Sequence, residues 1–483
     1  MSHLLDMEGF RYMTKIIIDP ITRVSGLLSI EVEIENNKIV DAKSSGSQFR
    51  GFEQIFQGRS PLDIIYLAPR ICGICSTHHT MAATLALEDA MKVTPDFNGK
   101  IVCDIANGFE LLQNYLRHVY FFVFPDYVDI VHLNPLYKTE SAKQADYRLS
   151  KADTDRINSD YLEAVKYSRE AHRGVAELAG KVPHCHGIFV GGTTTNINIQ
   201  QIENIKYSIN VISSFVEEKL IPDVYRISEV YNDYFKIGKG HGNLMCYELY
   251  NDYSPPIKYC APGVIINGVK ETFDINNITE SVAKTWANGT SETIIPGLDE
   301  PAKPNAYKEN AYSWINAPRY NGHAMEVGAL ARMTLNGGYS GGISTMDRIA
   351  AKSLEAKRIC ETIKVLIEML KLGKAYQKEW EMPEKAKGIG LIEAERGALG
   401  HWLSIDKKLV SNYTLIPPSA WNLSPEDSKG IKGTAEQALI GTQINDIKYP
   451  VEIGRIVRSF DPCLNCAAHI VSDRYEPFNI NIV

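Results

Sequence analysis

Two Cys-x-x-Cys pairs stand near opposite ends of the chain, and imidazole follows each. The first is Arg70-Ile71-Cys72-Gly73-Ile74-Cys75-Ser76-Thr77-His78-His79, the second Asp461-Pro462-Cys463-Leu464-Asn465-Cys466-Ala467-Ala468-His469. Two intervening residues let the backbone turn back so that both sulfurs of a pair reach one metal, and two pairs make a four-thiolate set. A structural zinc ribbon draws its pairs from within about 20 residues of each other. Here nearly the whole chain separates them, and soft thiolates also suit nickel, copper(I) and iron. Spacing alone therefore reads as a tetrathiolate metal site or as redox dithiols.

The 483 residues are 44% hydrophobic and 23% charged, which supplies ample material for a core; length alone suggests about three domains. A net charge of −7 without a basic block argues against nucleic acid as a partner. The most apolar short run, Val119–Phe124, is far below the roughly 18–20 residues that span a bilayer. Met1-Ser2-His3-Leu4-Leu5-Asp6 lacks the plan of a signal peptide, so by itself the chain reads as cytoplasmic. Nine cysteines, odd in number and sparse, argue against a disulfide framework.

Elements must position these thiols. Residues 14–45 read as strands, with Ile30, Val32 and Ile34 alternating with acids and a hairpin turn at Asn36-Asn37. Ser76 or Thr77 caps a predicted helix to about Met91, which puts His78 and His79 in its first turn. A second helix covers 105–125 and breaks before Pro125. A third runs from Asn158 to Lys181 with Leu162, Val165, Val175 and Leu178 inward. Residues 230–310, rich in Asn, Asp, Gly and Pro, read as short strands and loops, a surface or partner-facing region. The clearest helix runs from a Ser344 cap to Lys371, with Ile359, Ile363, Leu366 and Leu370 at helical spacing. The expected fold is α+β and mainly α-helical: a single domain with a long-helix bundle core, a small N-terminal β-sheet and peripheral short strands. His184, Cys185 and His186 look like ligands in isolation but carry no assignment here, and Cys246 and Cys260 read as core thiols.

The two cysteine segments resemble the large subunit of nickel-iron hydrogenases. So do Asp19-Pro20-Ile21-Thr22-Arg23, Phe49-Arg50-Gly51-Phe52-Glu53, Ala317–Gly322 with Met325–Gly328, Arg396–Trp402 and Pro418–Asn422, in family order. Val190-Gly191-Gly192 matches a structural turn of that family. The resemblance implies that Cys72 and Cys463 are terminal nickel ligands and that Cys75 and Cys466 bridge nickel to an iron carrying cyanide and carbon monoxide. It implies a magnesium site from Glu53, the Leu415 carbonyl and His469, with hard oxygen donors for a hard cation. His79 would hydrogen-bond near a bridging thiolate, and His78, which has no counterpart, would be a polar neighbour. Pro418 and Ser419 would lie by the diatomic ligands. Arg396 would stand over the open side of the metals, able to polarise a small substrate and order water.

On this reading H2 is split heterolytically, with Cys463 the first base, and electrons leave through an iron-sulfur small subunit. A maturation protease would remove the tail 470–483 after metal-insertion proteins load nickel. A signal on the small subunit could carry the pair to the outer face of a membrane. Two departures bear on the proton: Ser25 stands where the family has Glu, and Glu395 where it has Pro, so Glu395 is expected to supply the missing carrier. Asn114 stands where relatives have Asp. A hydrogen sensor with suppressed turnover, a non-catalytic relative of a complex I subunit and a zinc-stabilised binding protein are the competing expectations.

Overall fold

The computed structural model describes residues 13–130, 133, 146–289 and 291–467. The N-terminal meander comprises β1 (Met13–Ile18), β2 (Leu28–Glu35) and β3 (Lys38–Gly46), antiparallel throughout. Leu28, Ile30, Val32 and Ile34 are buried and the residues between them point outward, as the alternation requires. Asn36 and Asn37 both take positive φ, 52° and 60°, the backbone a two-residue hairpin needs and Asn tolerates.

After α1 (Phe52–Phe56) and the short helix Asp63–Leu67 comes α2 (Ser76–Met91). Its start corrects the expected cap: Cys75 holds the N-cap position and no side chain of Ser76 or Thr77 closes it. Glu110 from the next helix does this instead, accepting from the amides of Thr77 (3.1 Å) and His78 (3.0 Å). The first N–H groups of a helix lack intrahelical partners, and the helix dipole favours a carboxylate there.

That next helix, α3 (Phe97–Arg117), begins before residue 105, at a cap made by Asp96 to the Gly99 amide (3.0 Å). Gly99 weakens the helical signal, and a Cβ there would stand 2.2 Å from the Ala375 carbonyl. Beyond Arg117 the chain keeps a helical course through a π turn, His118–Val123, and a 3-10 turn, Phe124–Asp126, which takes in Pro125 instead of stopping before it. α4 (Lys151–Ala179) starts at a Ser150 cap, ahead of Asn158. Val175 and Leu178 are buried as expected, but Leu162 and Val165 are 56% and 54% exposed. The buried stripe instead runs through Ile157, Ala164 and Ala171, and the two alanines let α4 lie close against α3.

α5 (Ile199–Phe215) packs on α4, and α6 (Thr345–Met369) packs on α3 and α5. Ser344 caps α6 with Asp347 in a reciprocal box. Ile359, Ile363 and Leu366 are buried, whereas Leu370 is only partly so because the backbone turns extended there. Residues 230–310 hold strands of two to four residues.

β4 (Lys385–Ala394), β5 (Gly397–Asp406) and β6 (Leu409–Ile416) form a second antiparallel meander that lies across α2. Gly388 and Gly390 permit that approach, since a Cβ on either would stand 2.1 or 2.0 Å from the carbonyls of Ala86 or Ala82. Four short helices follow, Pro418–Leu423 (α7), Thr434–Leu439, Val451–Ser459 (α8) and Leu464–Ala467 (α9). Among the described residues one apolar cluster fills the space between the long helices and a second lies under the N-terminal meander. A third surrounds Cys72, Cys75 and Cys463.

Candidate metal centre

Cys72, Cys75 and Cys463 are 1%, 5% and 0% exposed, and their sulfurs all lie within 4.8 Å of one another. The Sγ atoms of Cys72 and Cys463 are 3.4 Å apart. Two thiolates about 2.3 Å from one metal stand about 3.3–3.8 Å apart, so the donor set fits a shared ion. Cys463 is fixed from two sides. Its amide donates to Ser419 Oγ in the first turn of α7 (3.0 Å). Ser25 forms a parallel bridge beside it, donating to the Pro462 carbonyl (3.0 Å) and accepting from the Leu464 amide (2.6 Å). Gly26, at φ 86°, passes so close that a Cβ would meet the Asn465 nitrogen at 2.8 Å. The backbone of Cys466 belongs to α9; its side chain, His469 and the tail from 470 lie outside the described residues.

Glu395 and Arg396 are the two-residue tip of the β4–β5 hairpin, since Ala394 pairs with Gly397. Hairpin tips are ordinarily solvated, yet these residues are 0% and 4% exposed. Arg396 donates from Nε to the Asp461 carbonyl (2.8 Å), from Nη1 to Glu395 Oε1 (2.9 Å) and from Nη2 to Asn114 Oδ1 (3.1 Å). Asn114 passes the tie on through Nδ2 to Asp461 Oδ2 (2.6 Å), and Arg117 donates to the same Asn114 oxygen (2.8 Å). Burial would raise the Asp461 carboxyl, but Arg396, His118 and Lys352 hold it well below the usual carboxylate range. Lys352 Nζ stands 3.0 Å from Asp461 Oδ2. Arg396 and Arg117 are thus within electrostatic reach of the cysteine sulfurs and Lys352 of Asp461, the charge balance that buried anions require.

Two histidines of α2 and one of β5 also lie near the thiols. His79 Nδ1 is 3.2 Å from His401 Nε2, and His401 Nδ1 is 2.7 Å from the Tyr413 hydroxyl. Burial lowers the His79 pKa to about 4, outweighing the pull of the Cys463 charge, so its imidazole is neutral. His78 Nδ1 lies 2.6 Å from Glu110 Oε2 and 3.0 Å from Glu395 Oε2, all three side chains being at most 1% exposed.

Glu53 and Leu415 are brought together, the Leu415 amide donating to Glu53 Oε1 (3.0 Å). Burial pushes the enclosed Glu53 carboxyl up to about 7, although part of the residue reaches the surface. Burial and the Glu53 charge push Glu280 up to about 8. The two enclosed carboxyls thus lie within electrostatic reach of each other. Pro418 opens α7 beside Ser419, whose hydroxyl hydrogen remains available because its oxygen is the acceptor for Cys463. Cys185 is buried and bonds Thr80, while His186 is exposed, so that trio does not converge. Cys246 and Cys260 are buried with their sulfurs 3.6 Å apart.

A model of the nickel-dependent hydrogenases matches residues 50–155, 133–341 and 336–469. The periplasmic [NiFeSe] hydrogenase large subunit of Desulfomicrobium baculatum is 34% identical, covering 97% of each chain. This chain belongs to the nickel-dependent hydrogenase family. The hydrogenase-1 large chain of Citrobacter freundii is 30% identical over 98% of each chain. Among solved structures, the H2-activated Dm. baculatum [NiFeSe] hydrogenase superposes with a TM-score of 0.89 at 35% identity. The Ni-Fe-Se hydrogenase of D. vulgaris Hildenborough in the reduced state gives 0.90 at 34%. Each match covers 95% of this chain and 100% of the other. Those relatives carry selenium in their names, whereas this hydrogenase chain has cysteine at 72, 75, 463 and 466.

Sequence reasoning gave no role to Glu110, Asp461 or Lys352, and took His78 as a polar neighbour without its two carboxylate partners. Glu110 carried a signal: with Asn107, Gln113 and Asn114 it forms a polar stripe at helical spacing on a helix that is otherwise rich in apolar residues.

Proposed function

We propose that the chain is the catalytic large subunit of a nickel-iron hydrogenase, cleaving H2 at a centre held by Cys72, Cys75, Cys463 and Cys466. The three described thiols packed within 4.8 Å in a dry, apolar cluster are the observation that carries this reading. Bound there, nickel and iron supply the Lewis acidity and redox capacity that polarise H2. The protein does the rest. Cys463 accepts the proton. The Arg396 fork, locked on Asp461, Glu395 and Asn114, excludes water from the face above the sulfurs and presents positive charge to it. Glu395, bonded to Arg396, takes the proton onward.

Pro418 and Ser419 would face the cyanide and carbon monoxide of iron. Glu53, the Leu415 carbonyl and His469 would hold magnesium. Electrons leave to an iron-sulfur small subunit, because the other group of candidate ligands among the described residues, His78, Glu110 and Glu395, contains no sulfur. Metal-insertion proteins and a protease acting at 470–483 complete the list of partners, and α3–α6 serve as the helical bundle behind the site. Among the described residues no helix is long and apolar enough to cross a membrane.

H2-dependent dye reduction by the nickel-loaded chain with its small subunit tests this reading; absence of reduction would contradict it. Ser25 keeps a sensor reading in view, since its hydroxyl accepts from Asn465 Nδ2 (3.1 Å) and holds no acid. Such a chain would bind nickel and turn over slowly. Glu395→Gln is expected to lower turnover at least about tenfold, and an unaltered rate would remove Glu395 from the proton path.

A further inference from the structure

We infer that His78 and Glu110 carry the proton away from Glu395, so that Glu395, His78 Nδ1 and Glu110 form a buried relay leading away from the metal centre. The inference rests on the hydrogenase reading, in which Glu395 receives the proton. Two carboxylate oxygens converge on one ring nitrogen: Glu110 Oε2 at 2.6 Å and Glu395 Oε2 at 3.0 Å. One N–H cannot point at both. His78 Nδ1 and Glu395 Oε2 are both left without a well-directed hydrogen bond, the ring nitrogen lying between the two acids. A small ring rotation exchanges which acid the nitrogen addresses, and that geometry passes a proton from one to the other.

The spacing also decides against a vacated ion site. Two ligands about 2.1 Å from one ion at right angles stand about 3.0 Å apart, whereas the 2.6 Å contact of His78 Nδ1 with Glu110 is closer than that and near the short end of charge-assisted contacts. His78 Nε2 is tied to Asn107 Oδ1 (3.2 Å), which anchors the ring while Nδ1 does the exchange. Burial alone would lower the His78 pKa, yet the charges of Glu395 and Glu110 raise it to about 10. The resting state is therefore an imidazolium between two carboxylates, two negative charges against one positive.

The step balances as follows. His78 Nδ1–H gives its proton to Glu110 Oε2, breaking an N–H bond and forming an O–H bond. Protonated Glu395 then gives its proton to the vacated Nδ1, restoring the imidazolium and the Glu395 carboxylate. One proton has moved from Glu395 to Glu110. Beyond Glu110, His172 on α4 and His184 feel its charge and are only half-buried, which marks the way to solvent. Glu110 also holds the start of α2 through the amides of Thr77 and His78, so the exit is built into the element that carries Cys75.

The test uses the holoenzyme with its small subunit, comparing D2 exchange with solvent against para-H2 conversion. Conversion reports cleavage, and exchange reports proton exit. In Glu110→Gln and His78→Gln the ratio of exchange to conversion is expected to fall at least tenfold, with Glu110→Asp recovering part of it. A ratio equal to that of the wild type in both variants, or a parallel fall of both rates with nickel retained, would overturn the relay and leave a structural role. No conversion in the nickel-loaded wild type would instead overturn the hydrogenase reading. As a readout independent of turnover, nitrogen NMR of the metal-free full chain should show both His78 ring protons at pH 8 in the wild type and one in Glu395→Gln/Glu110→Gln. A neutral His78 in the wild type would also overturn the relay.

Discussion

Arg396 makes three separate hydrogen bonds at 2.8–3.1 Å, to Asp461, Glu395 and Asn114. Only a planar fork can do so; a lysine ammonium is a point charge on a flexible stem. Arg396→Lys should therefore cut H2-dependent turnover about 100-fold, the scale seen when a preorganised electrostatic donor is lost, with nickel content retained. Turnover within a few-fold of wild type would contradict this role. Cys72, Cys75 and Cys463 were legible as a candidate metal set because their chemistry is written in residue type and spacing, whereas Glu395 and Arg396 came from the family resemblance alone. Glu110 was not, because its function depends on α3 passing the first turn of α2, and nothing local to Phe109-Glu110-Leu111 says which helix it will cap. The partners of His78 were hidden for the same reason: they come from α3 and from a hairpin more than 300 residues away.

At the scale of elements, the placing of α2 against the β4–β6 meander matters most, since one carries Cys75, His78 and His79 and the other Glu395 and Arg396. Gly390 has no room for a methyl, with the Ala82 carbonyl 2.0 Å from where it would lie. Gly390→Ala should cost about 1–3 kcal/mol, the range for overpacking, read as a lower urea midpoint; an unmoved midpoint would refute the close docking. Glu436 ties another pair of elements, accepting from the Ser44 amide of β3 (3.0 Å), the Tyr312 hydroxyl (2.8 Å) and the Gly433 amide (2.9 Å). Burial outweighs these bonds and pushes its carboxyl up to about 7 from 4.5. The folded chain thus binds a proton that the unfolded chain has released, and this contribution, full below pH 4.5, is lost as pH rises through 7. Glu436→Gln should flatten that part of the stability profile between pH 5 and 7, and an unchanged slope would assign it elsewhere. The β2–β3 hairpin and α6 could be read in advance because alternation and capping are local. The inward face of α4 could not, because alanines rather than Leu162 and Val165 fit against α3.

For the whole molecule, a metal centre joins the two ends of the chain. Ser25 bridges Cys463, Arg458 reaches the Thr22 carbonyl (3.1 Å), and Arg23 and Arg458 share Asp126. Such closure over the full length costs only slowly growing loop entropy, and the sulfurs of Cys72 and Cys463 meet only once the long helices and both meanders are in place. The distance between the two cysteine pairs, which set a zinc ribbon aside in the sequence, is thus the architecture itself. Which long helices neighbour each other was beyond the sequence, since α3, α4, α5 and α6 are separated by loops and short strands that carry no pairing signal. The most direct measurement is elemental analysis of the matured chain for nickel, iron, magnesium and zinc. One nickel and one iron per chain, both lost in Cys72→Ser, are the predicted result; zinc in their place, or no metal after proper maturation, would contradict the account.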